Sequence, residues 1–159
     1  MTFHFQKAST VPQSWIPVFY SVSMRVGGLG SLLFGRFFDR IGIKVLLPLT
    51  VLSMLSAPLV FLGGLKMALV GSALWGLGMG VHESIIPAAV AMIVPAERRP
   101  SAYGIFTAGY GVFWFAGSAL IGFLYGISIP AVIVFSVGTE LAALPFFLKA
   151  VRALRASQP

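Results

Sequence analysis

Three charged side chains stand inside long apolar runs: Arg25, Glu83 and Glu140. A charge at mid-membrane depth costs at least ~2.5 kcal/mol on insertion scales, so each is expected to face a cavity, a partner or a proton pathway. Counted from the charged end of its own run, Arg25 lies about nine residues in, Glu83 about 11 and Glu140 about 8. At ~1.5 Å per helical residue these are depths of roughly 14, 16 and 12 Å. The shared depth suggests that Arg25 pairs with Glu83 and that the pair borders a substrate or proton pathway. A purely structural interhelical ion pair is the equally open alternative. His82 precedes Glu83, but HESII lacks the second histidine of HExxH, and adjacent helical residues point about 100° apart. It reads as a polar packing group more readily than as a proton relay, although imidazole titrates in the right range. Tyr110 and Trp114, four residues apart on one helical face, could line an apolar substrate pocket or pack against helices or lipid.

Other chemistries find no residues to carry them. The chain has no cysteine, so a thiol nucleophile, a disulfide framework and a thiolate metal site are all excluded. No nucleophile with a base, no paired carboxylates and no metal-ligand cluster can be assembled, so no enzyme, metal or cofactor is expected. Gly76, Gly78 and Gly80 sit within an apolar run rather than between a strand and a helix, so they read as helix-packing positions and not as a phosphate loop. The Gly76–Gly80 and Gly122–Gly126 spacings fit the same reading.

The elements that position these residues are membrane spans. Of 159 residues, 58% are hydrophobic and 9% charged, with a mean hydropathy of +0.96; soluble domains carry about 25% charged residues. The expected fold is an all-α polytopic transmembrane bundle of about five spans. They fall at approximately residues 14–34, 45–65, 67–94, 102–125 and 129–148, runs of about the 20 residues that a bilayer requires. The first carries Gly27, Gly28, Gly30 and Ser31, small residues that admit a neighbouring helix. The second contains Pro48 and Pro58 and no charge, so nothing polar marks a pathway face there. Pro87 is the expected kink of the third.

The net charge of +7 does not point to nucleic acid, because the basic residues lie at the ends of apolar runs. Arg36, Arg40, Lys44, Arg98, Arg99, Lys149, Arg152 and Arg155 fall on one side, and Lys7 and Lys66 on the other. By the positive-inside rule the crowded side is cytoplasmic, which puts the N-terminus outside and the C-terminus inside a cell membrane.

The most charged connector, GRFFDRIGIK at residues 35–44, reads as the turn between the first two spans. Its Gly35, Asp39, Arg40, Gly42 and Lys44 match GxxxDRxGxK, and in this the chain resembles the major facilitator superfamily of secondary transporters, with Ile43 where a basic residue often stands. PAERRPSAYG, beginning at Pro95, is similar to a later connector of that family. The resemblance implies a gating role for the 35–44 motif, locking helix ends in one conformation and releasing them in another. It also implies alternating access by two six-helix halves around a midplane site. With its motif in the first connector and a basic cytoplasmic tail, the chain resembles helices eight to twelve, Met1–Gln13 standing for the end of helix seven and its outer loop. It would then be the carboxy-terminal half lacking its first helix. The implied function is transport of a small molecule, with proton coupling expected. The partners would be the lipid bilayer, the substrate and the missing amino-terminal half. The alternative is a non-transporting truncated fragment or a membrane packing subunit.

Overall fold

Pro17 sits at the start of the first long helix, where its missing N–H is not needed. The computed structural model describes residues 12–156. Among them are six α-helices: α1 Ile16–Ile41, α2 Leu46–Met54, α3 Ser56–Leu62, α4 Leu65–Ile93, α5 Arg99–Ile127 and α6 Ile129–Ala156, with short 3-10 turns at Gln13–Trp15, Gly42–Val45 and Ala96–Arg98. The described residues contain no strand, and the fold is an all-α polytopic bundle. Four segments are long and apolar enough to cross a membrane: Ile16–Leu62, Leu65–Ile93, Ala96–Ile127 and Ile129–Arg152. The first doubles back on itself. Phe19 from its beginning clusters with Val60 from its end, while Phe38, Val45 and Leu46 meet at the bend.

The bend is later and tighter than the charge pattern suggested. Residues 35–41 are the last turns of α1, because nothing between Gly35 and Ile41 breaks a helix and Phe38 is anchored in the core. The chain turns only at Gly42, whose φ of 64° is readily adopted by glycine and whose N–H donates to Phe38 O. The return arm is broken at Leu55. Pro58 offers no N–H to the Met54 carbonyl and its ring crowds it, so α2 ends and α3 begins there. At the other end of the chain, α6 continues past Leu148 to Ala156, with Val151 buried between the exposed Lys149 and Arg152.

Small residues set how closely the helices approach. Ser23 and Gly27 of α1 lie against Ser72, Gly76 and Gly80 of α4, and Gly30 against Leu77 and Val81, so the two helices run in the same direction. A Cβ on Gly27 would lie 2.7 Å from Gly76 O, and one on Gly80 would meet the Gly27 backbone. Ser23 Oγ donates across this seam to Ser72 O at 2.8 Å. The α2–α3 arm runs antiparallel to α4, with Ser53 beside Gly78 and Val60 beside Gly71. Tyr103–Pro87 and Phe61–Tyr125 contacts place α5 antiparallel to α4. Gly122 and Gly126, by contrast, have open space around them: the packing expected of that pair is not made within the described residues.

The ends of the helices sort by charge. Arg36, Arg40 and Lys44 flank the Gly42 turn, Arg98 and Arg99 the 3-10 turn after α4, and Lys149 and Arg152 the end of α6. These ends lie together around a core of Phe38, Leu46, Leu49, Ile85 and Ala89, against which Phe147 of α6 packs. Arg99 Nε donates to Val94 O at 3.1 Å and so satisfies a carbonyl at the end of α4. Arg155 and the segment before Pro12 lie outside the side chains or residues described.

Candidate functional site

Glu140 of α6 is half-buried and accepts a 2.8 Å hydrogen bond from Ser53 Oγ of α2. Ser53 Oγ also lies 3.1 Å from Thr50 O. A serine hydroxyl carries one proton, so only one of these acceptors is served at a time. When Glu140 is ionised, Ser53 donates to it. When Glu140 is protonated, its own O–H can donate to Ser53 Oγ, and the serine proton turns to the Thr50 carbonyl. The site can therefore hold either charge state with its hydrogen bonds satisfied. Gly78 on α4 makes room for it: a Cβ there would come within 3.1 Å of Ser53 Cβ.

One turn along α4 from Gly78, the half-buried His82 ring meets Phe147 of α6 edge-on, centroids 6.3 Å apart. This is a packing contact with α6. Glu83 is exposed. It lies one turn before Pro87 on α4, whose carbonyl accepts from Tyr103 of α5 at 3.0 Å. Tyr110 and Trp114 share a face as their spacing predicts, with ring centroids 5.7 Å apart, and Phe106 extends the row at 6.1 Å.

Arg25 does not join Glu83. Neither residue forms an ion pair with a described residue, and both are exposed. Ser23 faces α4, and Arg25, two residues on, is rotated about 200° away at 100° per residue. The depths differ too. Because α1 continues to Ile41, Arg25 lies about 16 residues, or ~24 Å, from that end, against about 10 residues, or ~15 Å, for Glu83 in α4. Glu140 is bound to Ser53, which lies beside Gly78, and Glu83 projects about 140° further around α4 at 100° per residue.

In the motif, Asp39 and Arg40 are exposed, Gly35 and Lys44 are half-buried, and Gly42 makes the turn. The order is a helix end carrying Asp-Arg, a left-handed glycine and a lysine on the turn, at the basic end of a four-segment apolar bundle. The family model described as Major Facilitator Superfamily matches residues 2–159 of this sequence. The chain belongs to the Major Facilitator Superfamily.

Curated relatives of this facilitator chain include uncharacterized proteins of Mycobacterium bovis and of two strains of Mycobacterium tuberculosis, each 38% identical over 144 residues. The match covers 91% of this chain and 35% of each relative, so the facilitator chain spans about a third of the length of the curated relatives it matches. No solved structure matches it. Family membership and four segments long and apolar enough to cross a bilayer make it a multi-pass membrane protein.

One functional candidate in the facilitator chain is not marked in the sequence. Ser53 lies in the uncharged second run, where nothing polar is expected to mark a pathway face, yet its hydroxyl meets Glu140, with the Thr50 carbonyl as its other acceptor. The Thr50 hydroxyl is buried and donates to Leu46 O of its own helix, so no pattern of hydroxyls marks the contact. The groove between α2 and α6 lined by Val51, Leu55, Leu144 and Leu148 offers almost no polar surface to fix a ligand.

Proposed function

We propose that the chain forms part of a secondary transporter that moves a small molecule by alternating access, coupled to proton movement through Glu140. The observation that carries the coupling is the Glu140–Ser53 hydrogen bond with Thr50 O in second reach. A carboxyl group inside a membrane bundle must be able to gain and lose its proton without stranding a polar partner, and this arrangement meets that requirement. The basic helix ends face the cytoplasm, the spans correspond to helices eight to twelve of a facilitator, and the Asp39–Arg40 motif acts as the cytoplasmic gate. Relatives about three times longer than the matched region support a larger assembly in which the remaining helices complete the pathway.

The test is solute uptake into vesicles by a complete transporter containing this sequence, with and without an imposed pH gradient, using a mixture of radiolabelled sugars, amino acids and organic ions. Native protein should accumulate at least one solute faster with the gradient. Glu140→Gln should keep gradient-independent exchange and lose the acceleration. Acceleration that survives in Glu140→Gln removes that residue from the coupling, and a native protein that moves nothing removes the transport reading. The second reading, a packing subunit without transport, draws on α5, which has no buried residue; it is favoured if the chain is recovered bound to another membrane protein and uptake is absent.

A further inference from the structure

The Glu140 site leaves Glu83 unexplained. Glu83 stands about ten residues, or ~15 Å, from the end of α4, a depth at which an uncompensated carboxylate is costly. No cation among the described residues pairs with it, Arg25 being on the far side of α1. Its backbone adds to the demand for positive charge: Pro87 has no N–H to give the Glu83 carbonyl, so that oxygen lacks its ordinary helical donor.

Beside this carboxylate lies a row of rings. Phe106, Tyr110 and Trp114 follow one another along α5 with centroids 6.1 and 5.7 Å apart and interplanar angles of 23° and 35°. The row is held against α4 from its base, where Tyr103 O–H donates to Pro87 O at 3.0 Å. Tyr103, Phe106, Tyr110 and Trp114 span an arc of about 80° at 100° per residue, so the ladder and its anchor lie on one side of α5. Tyr110 and Trp114 remain exposed at 40% and 47%, and Glu83 lies one turn before Pro87 on the same side of α4, the side that Tyr103 of α5 reaches.

We propose that Glu83 and the Phe106–Tyr110–Trp114 ladder bind an organic cation of the quaternary-ammonium class, with the charge at Glu83 and its apolar groups along the rings. The inference rests on the transport reading, for which it names a substrate class. Aromatic faces attract a weakly hydrated cation through their quadrupole, and a neighbouring carboxylate supplies the full counter-charge. A metal ion finds no group of three ligating side chains among the described residues. An anion would be repelled by Glu83, and a sugar would need more hydrogen-bonding groups than one phenol and one indole provide.

The experiment measures equilibrium binding of radiolabelled benzyltrimethylammonium to the full chain in lipid nanodiscs, with the neutral isostere neopentylbenzene as competitor. The native chain should bind saturably, and neopentylbenzene should not displace the cation. Glu83→Gln and Trp114→Ala should each weaken binding about tenfold or more. Glu83→Asp and Trp114→Phe, which keep the charge or a ring, should retain part of it, and Lys66→Gln should bind as the native chain does. Helicity and thermal unfolding of every variant separate lost binding from lost fold. A folded native chain that binds no cation, a Glu83→Gln variant that binds normally, or equal competition by neopentylbenzene overturns the inference. Because no flux is measured, those results leave the transport reading standing; that reading falls only in the uptake experiment.

Discussion

Ser53 and Glu140 stand 87 positions apart in the sequence and share a 2.8 Å hydrogen bond that ties α2 to α6. The bond joins an apolar return arm to the last helix, and it brings the bundle's half-buried carboxylate under the control of a single hydroxyl. Its removal should be measurable. Ser53→Ala deprives ionised Glu140 of a donor, and a hydrogen bond to a charged group contributes about 1.5–3 kcal/mol. Unfolding in detergent should show a loss of that order for Ser53→Ala. Glu140→Gln should be much milder, since an amide oxygen still accepts from Ser53. Equal losses in both would assign the bond no role in stability.

The α1–α4 seam makes a second prediction. A methyl group on Gly80 meets the Gly27 backbone, so Gly80→Ala must push the helices apart. Overpacking of this kind costs about 1–3 kcal/mol. Gly104 on α5 has nothing within reach, and Gly104→Ala should be neutral or stabilising by up to about 1 kcal/mol through helix propensity. Thermal unfolding of the two variants in parallel checks the contrast; the account fails here if they behave alike.

Much of this arrangement could be read before any coordinates. Apolar run lengths located the helices, the basic residues marked which ends lie together, and the Gly76–Gly80 spacing pointed to a close contact. What was not legible depended on rotation and on distant pairing. Arg25 was placed at the depth of Glu83 because α1 was taken to end at Phe34; the seven further helical residues before Gly42 shift it by two turns, and only the packed face at Ser23 and Gly27 shows that it points away from α4. Ser53 was passed over because a serine in an apolar run can satisfy its hydroxyl on its own helix, and nothing local reveals that Glu140 is opposite it. The charge of the motif suggests a loop, but nothing before Gly42 breaks the helix.

Arg25 and Glu83 should therefore be energetically independent. In a double-mutant cycle of Arg25→Gln and Glu83→Gln, read by unfolding in detergent, the coupling should be within about 0.5 kcal/mol of zero. A coupling of several times that size would put the two charges in contact in the membrane.

Asp39 is exposed at the end of α1. Its replacement by asparagine should leave stability within about 0.5 kcal/mol, as for surface substitutions without a specific partner. Membrane insertion should be unchanged, because acidic residues contribute little to orientation. In a complete transporter containing this sequence, uptake should nevertheless fall, since the proposed gate needs the charge. Uptake at the native rate would remove Asp39 from the gate.

The proposed gate and proton pathway depend on the hairpin at Gly42 and on which ends of the helices face the cytoplasm. The chain contains no cysteine, so a single introduced thiol reports its own side of the membrane without further engineering. Arg40→Cys, Gly64→Cys, Arg98→Cys and Ser128→Cys sample the two ends in alternation. With a membrane-impermeant maleimide, Gly64→Cys and Ser128→Cys should label in intact cells, and Arg40→Cys and Arg98→Cys only after permeabilisation. Labelling of Arg40→Cys and Gly64→Cys from the same side would contradict the account.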